Sequence, residues 1–548
     1  MREYNVILKK GVDYDSFWND MESDTDGGKL YIPNRAVEYT NERPTSLRQC
    51  WYRLTDEEAE IVRQDDRVLA VEIPPDHRDD IQIGFRGVIG TPTLYEKPAG
   101  NSGPNMNWGL VRSLRKQNIY EDVSTPPIPY EYVLDGTGVD VVIQDSGLQV
   151  DHPEFEDFNG NSRVQQIDWY VASGIAGTQS VNHYRDFDGH GTHVAATAAG
   201  KYYGWAKNAR VYSQKLSGLE GSGDSGTGIS VTDAFDTIKG WHMAKSGSRP
   251  TIVNMSWGYL ATYSSVSAIH YRGTSYTGVD IDTTSERYAF GLIPYTLNGG
   301  VTYITNVRLA SVDTDIEEMV DAGIVVTIAA GNRSHKIDVD GGLDWNNSAS
   351  LSGGNVAAYG TGGVIEYCRG SSPGSPLAIT VGNIDDDTDD PAGVLDFVDK
   401  KANSSERGNG VDIYAPGTNI MSACSTTYNT TNFSPQNYEA NNDGNASFKQ
   451  MSISGTSMAA PQVAGVAALV AQLYKDVPSG SFPTAVKSVL LNTATSSLYF
   501  TNSEDDFTDL RSTLSTEAGK ILVNPYSARE PVKIQGGLSF NGVGLEIR

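Results

Sequence analysis

The stretch Ile453–Leu473, ISGTSMAAPQVAGVAALVAQL, opens with small and hydroxyl residues and then turns almost wholly apolar and alanine-rich. Such a run predicts a helix that is apolar all round and therefore buried. A proline, Pro461, sits one turn in. Ser457 lies at the mouth of this helix, and its hydroxyl has two readings. It caps the helix, as serine often does. Or it is a nucleophile held against the positive end of the helix dipole. The rest of the chain decides between them.

Upstream, apolar strands alternate with helical stretches. The strands read VDVVIQ, ARVYSQKL, TIVNMSW, GIVVTIAA, LAITVG and VDIYAP. Helical patterns such as SVTDAFDTIKGWHMAKS and DTDIEEMVDAG lie between them. Near-continuous apolar strands that alternate with helices predict an α/β fold of three layers, α/β/α, around a mainly parallel central sheet. Reactive groups in such sheets gather at the carboxyl ends of the strands. Asp145 follows the first strand, and Gly331-Asn332 follows GIVVTIAA. DFDGHGTHVAATAAG places His190 at the start of another helix.

These residue types fit one chemistry. A serine hydroxyl needs an adjacent base to attack a carbonyl. His190 can take that proton and return it to the leaving group, because imidazole titrates near neutrality. Asp145 would hold the imidazole tautomer and stabilise its cation. The side-chain amide of Asn332 and the backbone N–H of Ser457 are the candidate donors for the developing oxyanion. Each fragment alone has a plainer reading. Asp-Ser-Gly is turn chemistry, Ser457 is a cap, and His190 with His193 resembles a metal pair. Helical zinc pairs, however, use His at i and i+4 with an intervening Glu, which this segment lacks. The four fragments together favour the catalytic reading.

Composition narrows the setting. The chain has 548 residues and a net charge of −26, with 39% hydrophobic and 20% charged residues. The acidic balance speaks against a nucleic-acid partner, since phosphate binding needs clustered Lys and Arg. Cys50, Cys368 and Cys424 have no zinc-ligand spacing and read as buried thiols. MREYNVILKKGVD has no signal-peptide pattern, so the cytoplasm is the expected place of synthesis. No membrane span is expected from the apolar runs.

The first 85 residues or so read as a strand–helix–strand–strand–helix–strand unit of small α+β, ferredoxin-like type. Its last part is LTDEEAEIVRQDDRVLAVEIPPD, with a Thr cap and an acidic first helical turn. Residues 86–107, rich in Gly, Pro and Asn, read as a linker.

The chain resembles the subtilisin-like serine peptidases, the subtilase family. The motifs that carry this are VVIQDSGLQVDHPEF, GHGTHVAATAAG, NMSWG, TIAAGN and GTSMAAPQVAGVAALV. They span roughly residues 108–497, leaving 498–548 as a C-terminal extension. The resemblance implies a serine endopeptidase with Asp145, His190 and Ser457 as triad and Asn332 as oxyanion donor. It implies substrate-binding roles for Ser256, Trp257 and Gly258 on one edge and Gly221, Ser222 and Gly223 on the other. Ala329, Ala330 and Gly331 join them. A peptide would lie between the edges as an added strand. Residues 1–85 resemble the family's inhibitory prodomain, so the expected product is a self-processed zymogen. Its partners would be protein or peptide substrates and its own prodomain. A dedicated processing enzyme for one assembly partner stays open, as does a silent binding protein, although the complete set of four residues speaks against the latter. No cofactor is needed for the chemistry. Proteinase K-like relatives suggest a structural calcium at Asp338, Asp340 and Asp385, with solvated loops as the alternative. The two stretches that exceed the family pattern, after Gly258 and after Asn332, are expected to rim the cleft. Trp257 suggests apolar side chains near the cut bond, and Asp224 a mild liking for basic neighbours.

Overall fold

The computed structural model describes residues 1–24, 27–78, 82–85, 87–88, 107–116, 132, 134–221, 223–245, 249–263, 265–297, 300–352, 363–386, 399–426, 439–440, 447–474, 478–496, 498–499 and 519–526. The N-terminal unit is built from β1 (Arg2–Leu8), α1 (Tyr14–Glu22), β2 (Tyr39–Glu42), β3 (Gln49–Leu54), α2 (Asp56–Arg63) and β4 (Val68–Glu72). Its antiparallel sheet runs β2-β3-β1-β4. Helix α2 starts where the sequence says it should. Thr55 and Glu58 form a reciprocal capping box, and the acidic first turn complements the helix dipole. Val6, Leu8, Phe17, Met21, Tyr52 and Val62 give this unit a core of its own.

Two short strands follow, β5 (Gln82–Phe85) and β6 (Gly87–Val88), then α3 (Trp108–Arg112). Strand β7 (Asp140–Asp145) opens the large domain, followed by α4 (Trp169–Ser173), α5 (His190–Ala199), β8 (Arg210–Lys215), α6 (Val231–Ala244) and β9 (Thr251–Met255). Next come β10 (Trp257–Tyr263), β11 (Ser265–Tyr271), β12 (Thr274–Thr277), α7 (Thr284–Ala289), β13 (Pro294–Leu297), β14 (Gly300–Asn306), α8 (Ala310–Asp321) and β15 (Val325–Ala329). The chain continues through β16 (Ser348–Ser352), β17 (Val364–Glu366), β18 (Ile379–Ile384), β19 (Asp399–Lys400), β20 (Ile413–Pro416), β21 (Ile420–Cys424), β22 (Glu439–Ala440) and β23 (Lys449–Gly455). It closes with α9 (Thr456–Tyr474), α10 (Phe482–Thr493) and β24 (Leu498–Tyr499).

The central sheet runs β20-β18-β15-β9-β7-β8, and every pairing in it is parallel. Its strands are buried on both faces, which explains their unbroken apolar sequences. One face packs on α5 and α9, and the other on α6 and α8. This is the three-layer α/β/α arrangement expected from the sequence. By length and hydropathy α9 could cross a membrane, but 89% of that stretch is buried within the protein.

The first insertion does not stand apart as a loop. It lengthens β10 and adds β14 and β13 beside it, giving an antiparallel sheet β13-β14-β10-β5. The second insertion contributes β16 and β17, and β16 pairs with β11 of the first to give the sheet β12-β11-β16-β17. From the C-terminal extension, Ile521 and Leu522 belong to the main core, and the segment bonds the backbone of Tyr414 on β20. Residues 519–526 are thus part of the large domain's edge rather than a separate tail.

Candidate active site

Asp145 is the last residue of β7, at the carboxyl end of the central sheet. His190 is the first residue of α5. The imidazole Nδ1 lies 2.8 Å from Asp145 Oδ1, and both side chains are almost fully buried. A carboxylate there only accepts, so Nδ1 carries the hydrogen and Nε2 is left as the base.

Asp186, which the sequence reading passed over, fixes the start of α5. Its carboxylate accepts from Gly189 N at 2.7 Å, Thr192 N at 2.8 Å, Thr192 Oγ1 at 2.5 Å and Ser146 Oγ at 2.8 Å. It satisfies N–H groups that a helix start leaves without intrahelical partners. The signal was present in DFDGHGTH as an acid just before the helix. Gly191 is required by closeness: a Cβ there would lie 2.2 Å from Gly147 O. His193 is no metal ligand. Its Nε2 reaches the carbonyls of Ile420 and Met451 at 3.0 and 3.1 Å, and burial lowers its pKa to about 3.

Ser457 sits in the first turn of α9, fully buried. Its Oγ donates to Ser256 O at 3.1 Å, and Ser256 Oγ donates to Ser457 O at 3.0 Å. Pro461 explains the second bond. Having no N–H, it leaves the carbonyl four residues back without its helical donor, and Ser256 supplies one. The proline thus ties the serine's backbone to the neighbouring strand.

Asn332 follows Gly331, whose φ of +124 favours glycine. Its Oδ1 accepts from Thr456 N at 2.9 Å, which fixes the amide orientation. The Nδ2 is buried and has no hydrogen-bond partner. An orphaned buried donor beside the serine is costly unless it serves a transient acceptor.

Ser256 lies between β9 and β10, and Trp257 and Gly258 begin β10. This strand pairs antiparallel with β5 of the N-terminal region: Trp257 opposite Phe85, Gly258 opposite Gly84, Tyr259 opposite Ile83. Strand β6 pairs with β23, Ser454 opposite Val88 and Gly455 opposite Gly87. Two short strands of the same chain, β5 and β6, therefore pair with β10 and β23, the elements on either side of Ser457. The Trp257 ring does not face this groove. It is fully buried against Phe235 and Tyr259, and its Nε1 donates to Gln144. The ring expected to shape the groove belongs to the core.

Gly221 and Gly223 abut Asp188 and Phe187, just before His190. Ser222 lies outside the described residues, and no ladder to this edge exists among the described ones. Asp224 is sealed against Lys215 at 2.6 Å, which holds its carboxyl below the usual range and removes it from the cleft. Ala329 ends β15, and Ala330 and Gly331 carry the chain from it to Asn332.

The calcium grouping is not assembled. Asp338 turns its carboxylate onto Val339 N and Asp344 N, Asp340 is exposed, and Asp385 is half-buried next to β18. Among the described residues no group of three acidic, His or Cys side chains could hold a metal. Loop-organising carboxylates and ligand carboxylates look alike in sequence.

The structure thus pairs His190 with Asp145 and sets the unpartnered Asn332 amide and two short strands of the chain beside Ser457, whose hydroxyl bonds Ser256 O. The family model described as Subtilase family matches residues 136–517, and the chain belongs to that family. It is 27% identical over 364 residues to the cuticle-degrading serine protease of Arthrobotrys oligospora, covering 66% of this chain and 57% of that one. It is 26% identical over 452 residues to the extracellular serine proteinase of a Thermus species, covering 82% and 72%. Fervidolysin of Fervidobacterium pennivorans, titled a keratinolytic enzyme related to subtilisin, superposes with TM-score 0.48 at 17% identity, covering 98% of this chain and 62% of that one. The chain spans just over half the length of the first two curated relatives, at 57% and 55%.

Proposed function

We propose that the protein is a serine endopeptidase that acts through Asp145, His190 and Ser457, and that residues 1–85 are its inhibitory prodomain. The observation that carries this is the path of β5 and β6. They follow β10 and β23 on either side of Ser457, as a peptide substrate would. One residue, 86, separates the two strands. The two strands flank Ser457, and we take the 86–87 bond between them as the processing site.

The chemistry follows from the positions. Ser457 Oγ leaves its bond to Ser256 O, gives its proton to His190 Nε2 and attacks the carbonyl carbon. Asp145 holds the imidazolium through Nδ1–H. The carbonyl oxygen gains negative charge, which Asn332 Nδ2 and Ser457 N–H stabilise at the positive end of α9. The bond to nitrogen breaks as His190 protonates the leaving amine. Water then hydrolyses the acyl-enzyme by the same relay.

The N-terminal unit is held independently of that bond. Glu72 accepts from Ser311 N at 2.7 Å and Ala310 N at 3.3 Å, at the start of α8. Asp76 accepts from Thr232 Oγ1 at 2.5 Å, in the first turn of α6. Inhibition would outlast cleavage until the fragment is itself digested.

The test is to purify the wild-type and Ser457→Ala chains side by side. Wild type should split with Gly87 as its new N-terminus and take up a fluorophosphonate at Ser457. Ser457→Ala should stay whole and unlabelled. A Ser457→Ala chain that splits like wild type, or a wild type that neither splits nor labels, sinks the reading.

A further inference from the structure

A buried acid stands behind the groove and has no part in the chemistry above. Glu406 is fully buried, and its Oε1 accepts from Asn306 Nδ2 at 3.2 Å. His335 Nδ1 lies 3.6 Å from the same oxygen. Oε2 has no hydrogen-bond partner. The side chain presses on Gly331: a Cβ built there would lie 2.7 Å from Glu406 Cγ and 3.0 Å from Oε1. Leaving a buried carboxylate oxygen unpaired is expensive, so the position calls for a donor that arrives from elsewhere.

The strand register says what arrives. Residues directly opposite in an antiparallel pair share a face of the sheet, and so do residues two apart along a strand. The ladder sets Gly258 opposite Gly84 and Trp257 opposite Phe85; continued by one residue, the same register would set a substrate residue opposite Ser256. That is the residue on the acyl side of the bond to be cut. Its side chain projects on the face shared by Ser256, Gly258 and Leu260. Asn306 of β14 is opposite Leu260 and is on this face too. Gly258 adds no side chain on this face, and Glu406 fills the side of Gly331 where a Cβ would stand. Asn306 bonds Glu406 and so joins this face to it.

We propose that the Glu406 carboxylate ends the pocket for the residue preceding the cut, and that the enzyme selects arginine or lysine there. The chain's own sequence agrees. The residue between β5 and β6 is Arg86. A guanidinium or ammonium would give Oε2 its donor. An apolar residue would leave the acid unpaired. This replaces the apolar preference suggested by Trp257, whose ring is in the core. Asn306 belongs to the first insertion, so that extra sheet builds the pocket wall as well as lengthening the groove.

This inference rests on the peptidase reading, and its test separates the two. Wild-type processed enzyme is first labelled with a fluorophosphonate, then assayed on tetrapeptide amides that differ only at the last residue. We expect kcat/KM for Arg or Lys to exceed that for Leu or Phe by roughly 30- to 1,000-fold, the range for pairing one desolvated charge. In Glu406→Gln the Arg-to-Leu ratio should collapse by a similar factor. A purely structural role would lower both substrates and leave the ratio standing. Arg86→Leu should slow self-cleavage of the full-length chain, a readout that holds even if Glu406→Gln does not fold. Labelling of Ser457 with equal or better turnover of Leu and Phe overturns the Glu406 assignment alone. No labelling at all overturns the peptidase reading beneath it.

Discussion

Asn332 shows how tightly a candidate oxyanion donor is placed before any chemistry begins. Its carbonyl is spent on Thr456 N, so the amide nitrogen has one direction to point. Asn332→Leu keeps the volume and removes the donor. We expect kcat to fall roughly 100- to 1,000-fold with KM little changed, a magnitude that comes from subtilisin itself. Steady-state kinetics on a peptide amide decide it, and a change confined to KM would make Asn332 a binding residue. Asp186 acts one step further back, on the helix that carries His190. Removing its four hydrogen bonds in Asp186→Ala should cost about 2–4 kcal/mol of stability. It should also lower kcat more than it raises KM, because the imidazole loses its fixed position. Thermal unfolding and kinetics of the same sample report the two effects, and unchanged kcat would confine Asp186 to a structural role. The positions of Asp145, His190, Asn332 and Ser457 at strand and helix ends were legible because each lies in a long, specific motif. Asp186 was not, because an acid ahead of a helix looks like any cap. Glu406 was not, because nothing in SSERGNG says that its side chain is sealed behind Gly331.

At the scale of elements, the parallel strands were legible from their apolar runs and the helices from their periodicity. The inserted sheet was not. β11, β12 and β16 carry serine and threonine on their exposed positions and read as polar loops, and their partners are far apart in sequence. The acidic loops near Asp338 suggested calcium, yet the cations that pin loops here are lysines. Lys487 of α10 reaches Pro376 O at 2.9 Å, Ala378 O at 2.6 Å and Asp412 Oδ1 at 2.8 Å. Lys207 does the same with Lys201 O at 3.0 Å and Gly204 O at 2.7 Å, and Lys401 with Ala402 O at 2.6 Å and Ser405 O at 3.2 Å. An ammonium supplies fixed donors to carbonyls that converge on one point. Lys487→Met keeps the stem and strands those oxygens. It should destabilise the Ser457→Ala protein, which cannot digest itself, by about 1–3 kcal/mol in thermal or urea unfolding. A variant as stable as its parent would show that water serves these carbonyls equally well.

Across the whole molecule, the contact between the N-terminal unit and the large domain is charged at its centre. Arg43 is almost fully buried between Asp236, 2.6 Å from Nε, and Asp315, 3.0 Å from Nη2. Glu318 stands nearby, held by Lys239 at 3.0 Å. One guanidinium cannot compensate two desolvated carboxylates equally. Burial, with Asp236 and Glu318 adding to it, pushes Asp315 up to about 8 despite Arg43. This shift predicts that the docked state holds a proton on Asp315 at neutral pH. Undocking returns that carboxyl to water, where its ordinary pKa is about 3.9 and it is ionised. Between those two values the complex binds one more proton than its separated parts. Docking is favoured by acid in this window, and the advantage is lost as pH rises through about 8. The N-terminal fragment that cleavage would release, residues 1–86, should bind the processed enzyme up to roughly tenfold more weakly per pH unit from about 5 to 8, then level off. The enzyme is first inactivated with a fluorophosphonate, so that the fragment survives and the titration of His190 does not enter through turnover. Calorimetry across this range measures the slope directly. Asp315→Asn, which carries no titrating proton, should flatten it while keeping the hydrogen bond from Gln49 Nε2. A wild-type slope of zero or of opposite sign would mean that Arg43 keeps both acids ionised, and the N-terminal unit would then be held with the same strength at every pH the enzyme meets.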